Sequence, residues 1–498
     1  MPSAPALPRV PIDAARRSRG RRLGGTSRPA ARAAGAIPRA LGLLGLLGIV
    51  ATTFLTAAGA AGEPSQYVPG RSGGWPGWMA GPLEGLGMSI GSGAFQTLTL
   101  IMCASYLLVL AFSRALPIGA VVAAILAAHA ILLLGPPLIS QDVFGYLGFA
   151  RLGALHGLDP YTHVAAQASG DEVFWFVGWP YKHSPYGPLF TLASYATAPL
   201  GLAGGLWAFK AVAVASSLAA IALVARAAGR LGHSRRWAAA FVGLNPVLLV
   251  LAVGGAHNDT LLMMVLAAAL ALTAGASPRF RTAAAALVVG VGIKVTAGLV
   301  LAFLVLAPAR WGERRRVAGA AALSLLALGA VGLIGFGTHA LGFLNAVGEQ
   351  QQLVAVHSVP AETARLLGLQ GTPAWWRNVF AGVFVVVLVY SLWRTARGAD
   401  WRVAAGWATL ALLLSTAWLL PWYAIWALPL AAVSGDRRLR AATLLFCAYA
   451  VLIHLPLADR LLVPARARVH VPVVVVQRHR VDLTRFQVAH DPLLDLGR

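Results

Sequence analysis

The side chains of this chain that can move a proton or hold an anion gather in a few short stretches. Gln141-Asp142 stands directly after a long apolar run, and Lys182-His183-Ser184-Pro185-Tyr186 closes a polar loop. His257-Asn258-Asp259 heads another apolar run, and Lys294 interrupts one inside Gly290-Val-Gly292-Ile-Lys294-Val-Thr296. A lone carboxylate at the mouth of a membrane span can act as a general base, and cations beside it can neutralise charge that develops on a leaving group. Each stretch also has a plainer reading. Asp142 could cap an amphipathic surface helix, Asn258-Asp259 could cap the run from Thr260, and Trp418, Trp422, Tyr423 and Trp426 have the make-up of an interfacial aromatic belt. No His/Cys/Asp cluster has metal-ligand spacing, although Asp142 with Asp259 or His257 in space could hold a divalent ion.

The elements that carry these residues follow from composition. Of 498 residues 58% are hydrophobic and only 11% charged, against roughly 25% charged in an ordinary soluble domain, and the mean hydropathy is +0.72. A soluble enzyme is excluded. The 40 basic residues, of which only Lys182, Lys210 and Lys294 are lysine, outnumber 17 acidic ones and give a formal charge of +23. The arginines sit in short clusters between apolar runs, as cytoplasmic loops do, without the continuous basic face that tracking nucleic acid needs. Cys103 and Cys447 both fall inside apolar runs, so no disulfide framework is present.

Three segments result. Residues 1–40, with nine Arg and one acid, read as a disordered basic cytoplasmic arm; 41–457 form one polytopic transmembrane domain; 458–498 are a tail that is basic although it should lie outside. Keeping the arginine clusters inside gives an all-α membrane fold of about eleven transmembrane helices. Two stretches do not fit as simple spans. Tyr186–Leu202, interrupted by Pro188, Pro199 and Gly201, reads as an interfacial or re-entrant helix on the outer face. The stretch from Arg281 to Arg310 is basic at both ends and reads as a re-entrant hairpin with Lys294 at its tip. Asp142, Asp159, Lys182, His183, His257-Asn258-Asp259, Lys294, His357 and Trp422-Tyr423 then collect at the external face, and all three lysines fall towards it. Lysines kept against the positive-inside bias suggest a shared anion site, unless three are too few to mean anything.

Five motifs in order resemble the actinobacterial polyprenol-phosphate-mannose-dependent α-1,6-mannosyltransferases, which are C-type (GT-C) integral-membrane glycosyltransferases. They are Gln141-Asp142-Val143 with Tyr146, Gly157-Leu158-Asp159-Pro160-Tyr161, Ser184-Pro185-Tyr186-Gly187-Pro188-Leu189, Gly255-Ala-His257-Asn258-Asp259, and Pro421-Trp422-Tyr423 followed by Trp426 and Leu428-Pro429. In general character the resemblance runs from about Leu41 to Pro456. It implies that Asp142 is the catalytic base, and that Lys182-His183-Ser184-Pro185 matches a Lys/His–Pro element after the first external loop. The short lysine-bearing hairpin is likewise similar to a feature of the superfamily.

With a polyprenyl-phosphate sugar as donor, the protein needs one carboxylate for the acceptor hydroxyl and cations for the departing phosphate. Asp142 has no close carboxylate partner in sequence of the kind that retaining hydrolysis uses. Lys182 and Lys294 are expected at the phosphate, with His183 and Tyr186 as hydrogen-bond partners. Gln141, Tyr146, Asp159, His257, Asn258, Asp259 and His357 are expected around sugar or acceptor, with Trp422 and Tyr423 stacking on a pyranose or the lipid. The expected partners are the lipid donor, a glycolipid or mannan acceptor and membrane lipids; no cofactor is expected beyond the divalent ion already noted. Another polyprenyl-phosphate sugar, a lipid-linked-sugar flippase, a transporter and a structural membrane protein are the competing readings. A transporter would be expected to show inverted repeats and mid-membrane polar groups.

Overall fold

The computed structural model describes residues 28–62, 68 and 76–455, with side chains from residue 36. Residues 1–27 of the expected arm and the whole of 458–498 lie outside the described residues. The described residues are helical, with no strand among them. Helix α1 (Arg28–Ala61) pairs with α3 (Ser92–Phe112); α2 (Gly77–Ala80) lies between them in sequence, and α4 (Ile118–Leu134) packs on α1. Because α1 starts at Arg28, the boundary drawn at residue 40 falls inside a helix. Helices α5 (Asp142–Ala154), α6 (Pro188–Tyr195) and α7 (Gly201–Arg230) follow; then come α8 (Arg235–Gly243), α9 (Asp259–Thr273), α10 (Phe280–Ile293) and α11 (Ala297–Leu306). The remainder is α12 (Trp311–Phe336), α13 (Gly342–Gln351), α14 (Val359–Leu366), α15 (Ala374–Ala396), α16 (Trp401–Ser415), α17 (Leu428–Val433) and α18 (Arg437–Leu452).

Five stretches are long and apolar enough to cross a membrane alone: Ala36–Ala61, Ser92–Ala115, Pro188–Arg230, Trp311–His339 and Ala374–Ala396. A sixth is α8 with the π-helical turn Val247–Val253, bent by 47°. The break falls at Asn245-Pro246, where Asn245 Oδ1 accepts from the Val247 N–H and Asn245 Nδ2 donates to Tyr106 Oη. The other apolar helices are shorter, among them α4, α9, α10, α11 and α16. The run Tyr423–Val433, expected to return across the membrane, is a 3-10 turn (Pro421–Trp426) followed by the six-residue α17, both buried and together too short for a span. The two short helices of the expected hairpin are present as α10 and α11 with Lys294 between them, and Pro188–Tyr195 forms a helix of its own, α6, ahead of α7.

Lipid tails are as apolar as leucine, so these helices associate through close packing and interhelical hydrogen bonds. His129 Nε2 on α4 meets Ser217 Oγ on α7 at 2.9 Å. On the other side of α7, Ser216 Oγ donates to Thr260 Oγ1 of α9 at 2.8 Å, and Thr260 Oγ1 donates to the His257 carbonyl. Arginines tie the opposite ends of the helices: Arg230 Nη1 donates to the Ala271 carbonyl and Arg314 Nη2 to the Ala396 carbonyl.

Candidate active site

The site begins where α4 ends. Lys210, buried on α7, donates to the carbonyls of Leu132 (2.8 Å) and Pro136 (3.3 Å), fixing the Gly135-Pro136-Pro137 exit. This corrects the expectation of three lysines around one anion, since Lys210 is spent on the backbone. The chain then turns at Ile139, whose φ is +72°, and Ser140 Oγ accepts the Asp142 N–H at 3.1 Å. Asp142 is thus the first residue of α5 and caps nothing, and its carboxylate stays available and 15% exposed. Nor is α5 an amphipathic surface helix: Val143, Phe144, Tyr146, Leu147 and Ala150 are all buried.

A second turn faces the first. The π-helical stretch leads into Gly254-Gly255-Ala256, where Ala256 also has a positive φ of +53°, and the Leu138 N–H donates to the Gly254 carbonyl at 2.8 Å. His257 Nδ1 comes within 3.3 Å of Asp142 Oδ2, although the contact is not aligned as a hydrogen bond. The imidazole is fully buried and stacks on Trp422, ring centroids 3.9 Å apart. Its Cδ2–Nε2 edge lies close to Gly255, where a Cβ would stand 2.6 Å from His257 Nε2, so only glycine leaves room. Asn258 occupies the N-terminal flank of α9 but makes no cap bond; its Oδ1 and its N–H both lie 3.3 Å from Tyr146 Oη.

Asp259 turns the other way. Its Oδ1 accepts from Lys294 Nζ at 2.9 Å and from Trp426 Nε1 at 2.7 Å. Lys294 also lies over the rings of Tyr423 (4.4 Å) and Trp426 (5.1 Å). In a 3-10 turn residues i and i+3 eclipse, which is why Tyr423 and Trp426 stack at 4.4 Å. Trp422, Tyr423 and Trp426 are therefore buried around charges and are not an interfacial belt. The hairpin tip is held by the Gly187 N–H, which donates to the Ile293 carbonyl; a Cβ at Gly187 would collide with Gly292. Tyr186 packs its ring against Tyr146 at 5.1 Å, and its carbonyl accepts from Tyr161 Oη.

Asp142, Tyr146, Tyr186, His257, Asn258, Asp259, Lys294, Trp422 and Tyr423 are thus one cluster. Buried polar atoms without a protein partner concentrate there: Ser184 Oγ, both His257 ring nitrogens, Asn258 Nδ2, Asp259 Oδ2, Thr296 Oγ1 and Trp422 Nε1. Folded proteins seldom leave such groups unpaired, so a concentration of them marks a place where polar ligand atoms fit. Beside Thr296 and Trp426 lies a small apolar recess, lined also by Leu262, Met263, Leu299 and Leu412. As a metal site the residues fit poorly. Asp259 Oδ1 is taken by an ammonium, and no three His, Cys, Asp or Glu side chains converge among the described residues.

The remaining expected residues flank the cluster. Gln141 lies under Gly178, and Trp179 meets Trp418 edge-on, so the segment leading to Lys182 passes over the start of α5. His183 Nδ1 is 3.1 Å from Glu349, Asp159 Oδ2 is 3.1 Å from His339 Nδ1, and His357 Nδ1 is 2.6 Å from Glu362. The first two of these pairs tie the first polar loop to the second. None of Asp159, His183 and His357 reaches Asp142. Trp426, Thr296 and Ser140 were not singled out as site residues from the sequence. The signal that could have found Trp426 is its i+3 spacing from Tyr423.

Residues 39–310 match the family described as alpha-(1->6)-mannopyranosyltransferase, N-terminal domain, and 352–477 match the MptB C-terminal domain. Among curated relatives, alpha-(1->6)-mannopyranosyltransferase A of Mycobacterium tuberculosis is 29% identical over 62% of this chain and 64% of its own length. Alpha-(1->6)-mannopyranosyltransferase B of Corynebacterium glutamicum is 25% identical over 60% and 56%. A probable alpha-(1->6)-mannopyranosyltransferase of Mycolicibacterium smegmatis is 28% identical over 63% and 65%. The chain thus spans less than two thirds of the length of each. No solved structure matches the chain.

Proposed function

The chain belongs to the alpha-(1->6)-mannopyranosyltransferase family, and from that premise we propose that it moves a mannosyl residue from a polyprenyl-phosphate-mannose donor to a mannan or lipoglycan acceptor at the external face of the plasma membrane. Asp142 takes the proton of the acceptor hydroxyl as that oxygen attacks the anomeric carbon. The bond from that carbon to the phosphate oxygen breaks on the opposite side, and polyprenyl phosphate leaves. Inversion converts a β-linked mannosyl phosphate into an α-mannoside. Lys294, which offers ammonium donors beyond the one given to Asp259, and Lys182 meet the phosphate.

The observation that carries the reading is one partly exposed carboxylate beside buried polar atoms that lack protein partners, with a lysine across the same cluster. The test is transfer by the purified full chain in detergent, with radiolabelled polyprenyl-phosphate-mannose and a short α-1,6-mannoside. Positioned base catalysis contributes about 10²–10⁴-fold, so Asp142→Asn should fold and bind donor but turn over slower by that factor. Wild-type turnover in the variant would overturn the role of Asp142.

A further inference from the structure

We propose that His257 is the positioning residue of the Asp142 carboxylate, rather than a contact to sugar; the proposal rests on the reading of Asp142 as base. His257 Nδ1 makes no protein hydrogen bond and lies 3.3 Å from Asp142 Oδ2, while its ring stacks on Trp422 and its Cδ2–Nε2 edge lies close to Gly255. A histidine buried merely as packing would be expected to have its nitrogens satisfied by the protein, and this one does not.

The backbone on both sides is built for the encounter. Among the described residues only Ile139 and Ala256 are non-glycine residues with positive φ; Ile139 opens the Ser140-Gln141-Asp142 turn three residues before Asp142, and Ala256 directly precedes His257. A β-branched residue is a pronounced outlier there, and such strain persists only where the surroundings over-determine it. The Leu138 to Gly254 hydrogen bond locks the two strained turns to each other. An imidazole N–H or imidazolium against Oδ2 stabilises the carboxylate and leaves Oδ1 for the acceptor hydroxyl. Also facing the pair are Tyr146 from α5, Tyr186 before α6, Asp259 from α9, Tyr423 with Lys294 beyond it, and His454 after α18. None of these approaches Oδ2 as His257 does.

The test compares wild type, Asp142→Asn, His257→Ala and His257→Asn in the transfer assay, reading kcat, both KM values and the pH profile. His257→Ala should lower kcat by about 10–100-fold, less than loss of the base itself, with both KM values unchanged. It should also move the acid limb of kcat/KM upward, because a donor facing the charged carboxylate is gone. His257→Asn, whose amide can donate to the same oxygen, should recover much of kcat. A raised acceptor KM with an unmoved acid limb would make His257 a sugar contact, and an unchanged enzyme would remove its role; either overturns the proposal. Wild-type turnover by Asp142→Asn would instead overturn the base. Should His257→Ala not fold, Gly255→Ala displaces the imidazole without deleting it, and an unmoved acid limb there overturns the proposal equally.

Discussion

Lys294 carries its charge into a nest of aromatic rings because Asp259 meets it there, and neither is independent of the other. The Asp259 side chain is 1% exposed and the Lys294 side chain 15%. Removing one partner of such a pair leaves a buried charge uncompensated, at a cost of about 3–5 kcal/mol, whereas replacing both is often close to neutral. Lys294→Met should therefore lower the melting temperature in detergent sharply, and Lys294→Met with Asp259→Asn should restore it while transfer stays lost. A double variant that melts with the single one would show that the pair is not what stabilises the hairpin tip. The pairing was not legible in the sequence. Asp259 and Lys294 were both identified, but for different ligands, because a separation of 35 positions hides a contact made only when α10 returns beside α9. What a linear reading supplies is residue type and the end of the helix; who touches whom depends on the fold.

At the scale of elements, the loop between α5 and α6 is anchored by Asp171. Burial by itself would raise its carboxyl pKa, but the Val173 N–H, His156 and Arg151 together outweigh burial and hold it below the usual carboxylate range. A carboxyl depressed by folding contributes stability that is fully present above its unfolded pKa of about 4 and is lost as pH falls through its folded value. Asp171→Asn should cost about 1.5–3 kcal/mol at pH 7, the range for hydrogen bonds to a charged group. Melting curves of both proteins should converge as pH is lowered below about 4, and a gap that stayed constant with pH would remove Asp171 from the account. Elements were read well where charge marks their ends, as for the hairpin between Arg281 and Arg310. They were read poorly where proline breaks an apolar run, as at Pro421 and Pro429, because hydropathy alone cannot tell a span from a buried break.

For the whole molecule, the arginines and the site lie at opposite ends of the same helices. Helix α9 starts with Asp259 in the cluster and ends beside Ala271, whose carbonyl takes Arg230; α10 starts after Arg279 and ends at Lys294. A helix of that length separates its ends by roughly 20 Å. On α9 the carboxylate at the N-terminal end and the guanidinium at the C-terminal end both agree with the helix dipole. On the proposed topology, the arginine end faces the cytoplasm and Asp142 the outside. With Cys103 and Cys447 replaced by alanine and transfer retained, Tyr181→Cys, 75% exposed in the first polar loop, should react with an impermeant maleimide on intact cells. Arg315→Cys, exposed near the start of α12, should react only after permeabilisation. The opposite pattern would turn the molecule over in the membrane. It would bring the lipid-linked donor to Asp142 from the cytoplasmic leaflet and exclude an acceptor that grows outside the cell.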